Sequence, residues 1–393
     1  LIKVKEFKFK CNFVEMYLKR LTIFSFKNYK EAEFEFDQGA NALTGPNGSG
    51  KTNILDAIHY LGLCKSYFHS TDSINIMHGS NYFSIGGKFF LKDNDFADEV
   101  FIGMKSGSKK VVKRNHKEYQ KLSEHIGLLP VVMVAPVDQI LITGSGEERR
   151  KLMDSIISQY NHHYLDLLVS YNRILQQRNS LLKNTPRGMM PDESLLQIID
   201  EQLSNAGTQI FHLRKEFIER FIPIFNKYYS FLTDDKERVD LQYESKLFEQ
   251  SLSELLKVSI HKDLALQYTS VGIHRDDLEL LLNNHSVRKI GSQGQQKSFV
   301  LAIKLAQFEL ISEYSGVKPL LLLDDIFDKL DVHRITRLME LVSNETFGQI
   351  FITDTTDTHI CEVFEKINVP LKIFNCSKPD LPIGEADGFE RLN

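Results

Sequence analysis

The sequence has few cysteines, no long apolar run and little excess of charge of either sign. Its four cysteines, at positions 11, 64, 361 and 376, form no C-x-x-C pair, so neither a disulfide framework nor a zinc site is predicted and a reducing compartment is expected. No apolar run approaches the roughly 18 residues that a membrane helix needs, and the first residues hold no stretch typical of a signal peptide. We therefore expect a cytoplasmic protein with no membrane partner.

The charged residues are nearly balanced, with 48 Lys and Arg against 52 Asp and Glu. This balance excludes a uniformly basic nucleic-acid coat, but it allows a local basic patch, which is what phosphate binding requires. Hydrophobic residues make up 42% of the chain and charged residues 25%, which is ordinary globular composition. At 393 residues the chain is too long for one compact core and predicts two or three domains.

The pattern of apolar residues divides the chain into α/β segments and a helical segment. Strand-like alternation begins at Tyr17, and residues 1–16 are interpreted as a probable extension or disordered arm. In 157–181 and again in 196–217, apolar residues recur in steps of three and four. This spacing predicts a short antiparallel helical hairpin with coiled-coil-like packing, or alternatively an ordinary buried helix pair.

Strand and helix alternation returns beyond about residue 255. The predicted fold is therefore α/β, with a core built from residues 17–145 and 256–378 and split by an inserted α-helical lobe at 146–255. Residues 379–393 are assigned to a tail.

A glycine-rich turn lies between a predicted strand, 40–44, and a predicted helix, 52–61. The turn fits the P-loop pattern G-x-x-x-x-G-K-[ST], and its residues are Gly45, Pro46, Asn47, Gly48, Ser49, Gly50, Lys51 and Thr52. Glycines let backbone N–H groups surround phosphate oxygens, and the helix N-terminus adds the positive end of its dipole. We therefore predict an ATP site in which Lys51 reaches the β- and γ-phosphates and the Thr52 hydroxyl is a Mg²⁺ ligand.

A second element of the predicted site is an apolar strand that ends in two acids, Asp324 and Asp325. A P-loop ATPase needs a carboxylate for the metal on a neighbouring buried strand, and Asp324 is predicted to hold Mg²⁺ directly or through water. Asp325 is predicted to orient or deprotonate the attacking water. An acidic strand-to-loop junction without catalytic role is the alternative.

A third element, residues 291–297, opens a helix about 30 residues before Asp324. Ser292, Gly294 and Gln295 resemble the signature motif of ABC-type ATPases, in which a Ser hydroxyl and glycine N–H groups face a phosphate, although a helix-capping turn is the alternative. In that class the signature contacts ATP held by the partner's P-loop. The resemblance therefore implies an ATP-dependent homodimer, with Ser292 among the catalytic residues. Residues 328–331 resemble the D-loop of the same dimer seam.

Several motifs together resemble those of the RecF family, bacterial recombination-mediator ATPases related to the SMC proteins. They follow the family's order and are Tyr17-Leu-Lys-Arg-Leu, Phe26-Lys-Asn-Tyr, the P-loop, and residues 130–136, 144–150, 272–278, 292–296 and 319–325. The resemblance implies an ABC/SMC-like P-loop ATPase head whose weak, DNA-stimulated ATP hydrolysis acts as a release switch. It also implies the partners: single- and double-stranded DNA at gaps, the RecR and RecO mediators, and RecA as the protein that is loaded.

The chain departs from the family pattern at a few positions. Lys27 stands where the family often has Arg, so a bidentate contact there would become a single point charge. Gln139 follows a Pro-Val-Asp run where the family often has Leu, which leaves a Q-loop assignment open. No switch His is expected near Thr353. The γ-phosphate sensor stays unassigned, with His274 or Arg275 as candidates and a packing role as the alternative.

The best candidate for DNA contact in the sequence is the basic segment 105–121. It holds seven cations against one acid, Glu118; the cations are Lys105, Lys109, Lys110, Lys113, Arg114, Lys117 and Lys121. The pattern indicates a hairpin that contacts phosphates without reading bases. The alternative is a solvated edge strand whose lysines block aggregation.

Two other function classes are compatible with an ABC-type ATPase. An SMC-like clamp or mechanical ATPase acting on DNA is the main alternative, but arms of roughly 25 to 40 residues reach only about 40 to 60 Å at 1.5 Å per residue. Arms of this length are too short to entrap DNA at a distance, and no hinge domain separates them. The nucleotide-binding subunit of a membrane transporter would usually carry the switch His.

Overall fold

The computed structural model describes residues 13–91, 97–186, 188–235, 237–329, 332–343 and 346–376. The chain divides into two compact units. Of the described residues, those up to 137 and those from 307 onward form the first unit, and those between 138 and 306 form the second unit. Residues 1–12, the predicted tail at 379–393 and residues 330–331 of the D-loop-like segment lie outside the described part of the chain.

The strands are β1 (Val14–Phe26), β2 (Tyr29–Glu35), β3 (Ala40–Thr44), β4 (Tyr82–Leu91), β5 (Ala97–Lys105), β6 (Val111–Arg114), β7 (Lys117–Glu118), β8 (Val131–Val134), β9 (Val239–Glu244), β10 (Asp277–Leu282), β11 (His285–Ser286), β12 (Val317–Lys318), β13 (Leu320–Leu323), β14 (Ile350–Asp354) and β15 (Leu371–Asn375). The helices are α1 (Lys51–Leu63), α2 (Ile140–Thr143), α3 (Gly146–Ser158), α4 (His162–Asn184), α5 (Glu193–Thr233), α6 (Leu252–Leu266), α7 (Val287–Ile290), α8 (Gln293–Ser315), α9 (Ile326–Lys329), α10 (Val332–Ser343) and α11 (Asp357–Ile367).

A parallel sheet in the first unit has the strand order β15-β3-β14-β13-β8. Four of its strands, β3, β8, β13 and β14, are buried along their whole length, which is why their sequences are nearly continuous apolar runs. The register pairs Thr44 with Asp354 and Leu323 with both Ile352 and Val134. The carboxyl ends of β3, β13 and β14 therefore meet at one edge of the sheet.

A second, mostly antiparallel sheet in the first unit has the order β12-β1-β4-β5-β6-β7, with β2 paired to β1. One hydrophobic core joins this sheet, the helix α1 and the parallel sheet. Aromatic rings contribute much of the core: the ring of Phe36 lies 4.8 Å from that of Phe351, and the ring of Phe26 lies 5.4 Å from that of Phe83, centroid to centroid. This packing fixes α1 against the strand edge at which the site is built.

The second unit contains the predicted helical hairpin, formed by α4 and α5. Tyr164 bonds to Arg214, Arg178 pairs with Asp200, and a Cβ placed on Gly207 would lie 3.0 Å from the Tyr171 ring. These cross-helix pairs advance by seven residues on one helix and retreat by seven on the other, which is the register of an antiparallel coiled-coil-like pair. The unit also holds a three-stranded sheet with the order β11-β10-β9.

Several predicted boundaries differ from the structure. Strand β1 begins at Val14 rather than Tyr17, because Val14 pairs with Val317, Glu15 bonds to Lys318 at 2.9 Å and Met16 is buried. Assigning residues 14–16 to an extension is therefore wrong. The first helical arm is not continuous: it breaks between Ser158 and His162, where the extended Asn161 caps α4 by accepting a hydrogen bond from the Tyr164 amide.

The edges of the helical lobe also differ from the prediction. The second arm runs on to Thr233 with Pro223 inside it, and strand β9 lies within the segment predicted to be helical. Strand β10 pairs with β9, and its first residue, Asp277, binds Arg149 of α3 through two hydrogen bonds of 2.8 Å. Residues 256–306 consequently belong to the same compact unit as the helices. The functional division into domains stays a prediction.

Removing Arg178 should destabilise the second unit. The Arg178 guanidinium is fully buried and bonds to Asp200 and Asp263 at 2.6 Å each and to the Thr269 hydroxyl at 3.0 Å. Arg178→Ala leaves the buried Asp263 without this partner, so we expect a loss of about 3–5 kcal/mol in the free energy of unfolding. Arg173→Ala, an exposed change on the same helix, is the control. Urea unfolding followed by circular dichroism measures both, and equal stabilities would contradict the ion network's role.

Candidate ATPase site and basic hairpin

The predicted P-loop follows β3 directly and leads into α1. Three of its glycines adopt left-handed backbone conformations, with φ of 141° at Gly45, 83° at Gly48 and 103° at Gly50. Residues with a side chain rarely adopt such angles. At Gly50 space is also lacking, because an added Cβ would lie 2.5 Å from the Asn28 amide nitrogen and 2.9 Å from the Tyr29 ring. The loop conformation thus depends on glycine at this position.

Lys51 is the first residue of α1, and its side chain is buried within the loop. Its ammonium group donates hydrogen bonds to the carbonyl oxygens of Gly45, at 2.6 Å, and Pro46, at 3.1 Å. These contacts hold a positive charge inside the turn formed by residues 45–50. An ammonium group held in this way is positioned to attract a phosphate.

Thr52 and Asp324 meet at the edge where the parallel strands end. The Thr52 hydroxyl donates to Asp324 Oδ1 at 2.9 Å, and the Thr353 hydroxyl donates to the same oxygen at 3.0 Å. The pKa of Asp324 is raised above its ordinary value, mainly by burial and to a smaller extent by the charge of Asp325. The hydrogen bonds from the two hydroxyl groups act in the opposite direction. A hydroxyl and a carboxylate in contact are hard oxygen donors and fit Mg²⁺, which takes few protein ligands besides phosphate oxygens.

Asp325 follows directly and is half-buried. Its backbone is left-handed, with φ of 46°, and its amide donates to the Thr353 hydroxyl at 2.8 Å. Within the described part of the chain, nothing donates a hydrogen bond to its carboxylate. Thr353 therefore supports both acids, a role that sequence reasoning missed; its place after a buried apolar strand was the available signal.

The segment before β2 contributes a second contact that sequence reasoning missed. The Asn28 amide donates to the Ser49 carbonyl at 3.4 Å and accepts from the Asn53 amide at 2.7 Å. Lys27 stands where a phosphate or dimer contact would become a single point charge, and it forms an ion pair of 2.5 Å with the buried carboxylate of Asp56. Its charge is used inside the fold because an unpaired buried carboxylate would be costly.

The signature-like residues lie in the second unit at the start of α8. The Ser292 hydroxyl accepts from the Gln295 amide at 3.3 Å, and the Gln295 side chain accepts from the Ser292 amide at 2.7 Å. This reciprocal pair is a capping box. It corresponds to the helix-capping turn that is the alternative to a signature motif. Ser292 is exposed and Gly294 half-buried, so capping leaves this helix end open to solvent. Gln295 also donates to Glu237 at 2.7 Å.

Three other residues singled out in the sequence also lie in the second unit. Gln139 donates to the Gln296 side chain at 2.6 Å. His274 is hydrogen-bonded through both ring nitrogens, to the Tyr171 hydroxyl and the Thr269 carbonyl, an arrangement typical of a packing role. Arg275 is exposed. The assignment of a γ-phosphate sensor stays open.

The basic segment forms the predicted hairpin in the first unit, but its cations divide into two groups. Lys110 pairs with Asp72 at 2.8 Å, and Arg114 binds Asp98 through two hydrogen bonds of 3.0 and 2.6 Å. Lys113 is half-buried, with its ammonium 5.9 Å from the centre of the Phe101 ring. The remaining four lysines are exposed and form no ion pair with any described residue: Lys105, Lys109, Lys117 and Lys121. They are called the hairpin lysines below.

A P-loop and an acidic strand end that meet at the edge of a parallel sheet, with an antiparallel sheet alongside, define an α/β ATPase head of the ABC and SMC type. The RecF/RecN/SMC N terminal domain profile matches residues 17–378. The chain belongs to the RecF family. Its sequence is 48% identical to the DNA replication and repair protein RecF of Flavobacterium johnsoniae, over 92% of this chain and 100% of that protein, and 45% identical to that of Bacteroides thetaiotaomicron, over 91% and 96%.

Solved structures agree with this assignment. A structure of the recombination mediator protein RecF with ATPrS, in the RecFOR pathway, has a TM-score of 0.81 and 31% identity and covers 88% of this chain and 95% of that one. An SMC head domain from Pyrococcus furiosus, at 18% identity and a TM-score of 0.51, shares the fold. In the described part of the chain, no helix is long and apolar enough to cross a bilayer.

Gly50→Ala should disrupt the P-loop, because the added Cβ meets Asn28 and Tyr29 and the backbone is left-handed. We expect nucleotide affinity to fall at least tenfold in a calorimetric titration with ADP and Mg²⁺, about 1.4 kcal/mol. Gly39→Ala is the matched control, since a Cβ there has no atom within 4 Å. Thermal unfolding of both variants tests whether the fold persists. Equal affinity of the two folded variants would contradict the role of Gly50.

Proposed function

We propose that this RecF-family ATPase binds ATP with Mg²⁺ at residues 45–52 and acts as an ATP-dependent DNA-binding protein of replication and recombinational repair. The observation that carries the proposal is the contact between Thr52 and Asp324, at 2.9 Å, beside a loop that encloses the Lys51 ammonium. The relative described as RecF-ATP, at 32% identity and a TM-score of 0.79, supports ATP as the nucleotide.

Each residue of the site has a proposed role. The backbone N–H groups of residues 47–50 and the Lys51 ammonium bind phosphate oxygens, and Thr52 with Asp324 holds the metal. When bound, Mg²⁺ supplies positive charge to the β- and γ-phosphate oxygens. Asp325, whose carboxylate accepts no hydrogen bond from the described residues, orients the attacking water and accepts its proton. Thr353 holds both acids in position.

The signature-like helix end completes the site in a homodimer. Ser292, Gly294 and Gln295 are proposed to contact the γ-phosphate of ATP bound by the partner subunit, as in ABC-type ATPases. The observation that supports this role is the exposure of Ser292 at the N-terminus of α8, a 23-residue helix whose dipole favours an anion there. Binding of ATP would then bring two chains together, and hydrolysis would release them.

DNA and mediator proteins are the proposed partners. The hairpin lysines offer exposed positive charge that no described acid neutralises, which suits contact with phosphates of single- or double-stranded DNA without base readout. The family further implies action at gaps with the RecR and RecO mediators to load RecA. The related RecF structures are described as belonging to the RecFOR pathway.

Ser292→Arg should abolish ATP-dependent dimerisation while leaving ATP binding near normal, because Ser292 does not contact the nucleotide of its own chain in the proposed dimer. Asp325→Asn should still bind ATP and dimerise, but the dimer should persist because hydrolysis fails.

Mass in solution, measured by light scattering with and without ATP, tests both variants. Mixing Ser292→Arg with Lys51→Ala creates one composite site from intact halves, so some association should return.

Ser251→Arg is the control for loss of a helix cap, because it removes another capping box, formed by Ser251 and Glu254 on α6. This control should dimerise normally. If Ser292→Arg dimerises with ATP as well as the unmodified chain does, the signature proposal is wrong.

Reversing the hairpin lysines to Glu should weaken DNA binding without changing ADP affinity. Each lost phosphate contact should lower the slope of log K against log salt by about 0.7 to 0.9. Lys183, Lys215, Lys246 and Lys257 are exposed lysines of the second unit, and their reversal provides a control with the same change in net charge. Fluorescence anisotropy with labelled DNA at several salt concentrations measures the slope. An unchanged slope would place the DNA site elsewhere.

A further inference from the structure

A cavity of about 360 Å³ in the second unit lies among α3, α4, α5 and residues 273–275. Its lining includes four cationic side chains: Arg150, Lys151, Arg214 and Arg275. Arg150, Lys151 and Arg214 have no role in the function proposed above, and Arg275 is only a candidate γ-phosphate sensor. The cavity is called the arginine pocket below.

Two of the four cations are neutralised by acids that also line the arginine pocket. Asp154 accepts a hydrogen bond of 2.8 Å from Arg214 and another from the Tyr164 hydroxyl. Glu147 pairs with Lys151 at 2.9 Å. These acids therefore leave little negative charge to oppose an anion.

Arg150 and Arg275 form no ion pair with any described carboxylate. Arg150 donates to the backbone carbonyl of Asp276, and Arg275 donates to the Thr269 carbonyl at 3.2 Å. The Arg275 guanidinium also lies 4.9 Å from the centre of the Tyr268 ring. Since a guanidinium carries five N–H donors, most donors of both residues are left for a ligand.

The histidine that lines the arginine pocket adds no charge to it at neutral pH. His274 accepts from the Tyr171 hydroxyl at 2.8 Å and lies 3.0 Å from the Thr269 carbonyl. Burial lowers the pKa of His274 to about 4, so the ring is neutral at pH 7. Burial and the charge of Arg214 lower the pKa of Arg150, while the charges of Asp277, Asp276 and Glu147 act to raise it. The net lowering means that burial is not fully compensated, and an anion beside Arg150 would compensate more of it.

We propose that the arginine pocket binds a phosphate group, with Arg150 and Arg275 as its charged donors. Guanidinium groups match phosphate oxygens in charge and geometry. Two of them balance the double charge of a terminal phosphate better than the single charge of a phosphodiester. The phosphate comes either from the end of a nucleic-acid strand or from a small molecule such as pyrophosphate.

The test uses the full-length chain with its P-loop filled by saturating ADP and Mg²⁺. Calorimetry measures binding of pyrophosphate, and anisotropy compares one oligonucleotide with and without a 5′-phosphate. The variants are Arg150→Gln and Arg275→Gln, with Lys257→Gln, an exposed change outside the pocket, as the control. Because Arg275 is exposed, its variant keeps the test valid even if Arg150→Gln fails to fold.

We expect Arg275→Gln to weaken the phosphate probe by roughly ten- to a hundredfold, the loss expected for charge-assisted hydrogen bonds. A 5′-phosphate preference that Arg275→Gln removes would identify a strand end as the source. An effect on pyrophosphate alone would identify a small molecule. If Arg275→Gln binds both probes as tightly as Lys257→Gln does, or if the unmodified chain binds neither, the proposal is overturned.

Discussion

The candidate site depends on the register of the parallel sheet, which brings Thr44, Leu323 and Asp354 to one edge. Because β14 lies between β3 and β13, its last residues reach both of their ends. Thr353 uses this position: its hydroxyl donates to Asp324 and accepts from the Asp325 amide. A shift of one residue in β14 would turn Thr353 to the opposite face of the sheet. The positions of the proposed metal ligands and of the candidate base therefore depend on strand pairing as well as on the residue types.

The parts of this site that the sequence predicts are those encoded by contiguous residues. The P-loop pattern specifies Gly45, Gly50 and a helix that follows them; in the structure both glycines have positive φ and α1 begins at Lys51. The apolar run before Asp324 predicts a strand buried on both faces, because only such a strand dispenses with alternating polar residues. The heptad-like spacing of α4 and α5 likewise predicts their antiparallel pairing. A local pattern is sufficient in these cases because the residues within the segment determine its backbone conformation.

The parts that escape prediction rest on partners far apart in the chain. Lys27 stands where the family often has Arg and where a contact would be a single point charge, but its ammonium pairs with Asp56. The sequence pattern includes Lys110 and Arg114 among the candidate DNA contacts, but in the structure they form ion pairs with Asp72 and Asp98. The pattern around Ser292 fits both a capping box and a phosphate contact, since each requires a hydroxyl at a helix N-terminus. Side-chain charge counts in a sequence therefore overestimate the charge available to a ligand.

The arginines of the second unit illustrate the same distinction within one small region. Arg149, Arg178 and Arg214 each bind carboxylates and join elements that are distant in sequence, so their charge is consumed in holding the helices and β10 together. Arg150 is adjacent to Arg149 on α3 but points to a backbone carbonyl, and Arg275 lies beside Asp276 while bonding to the Thr269 carbonyl. Backbone carbonyls orient a guanidinium without cancelling its charge. An arginine held in this way is pre-organised for an anion, whereas an arginine paired with Asp is not.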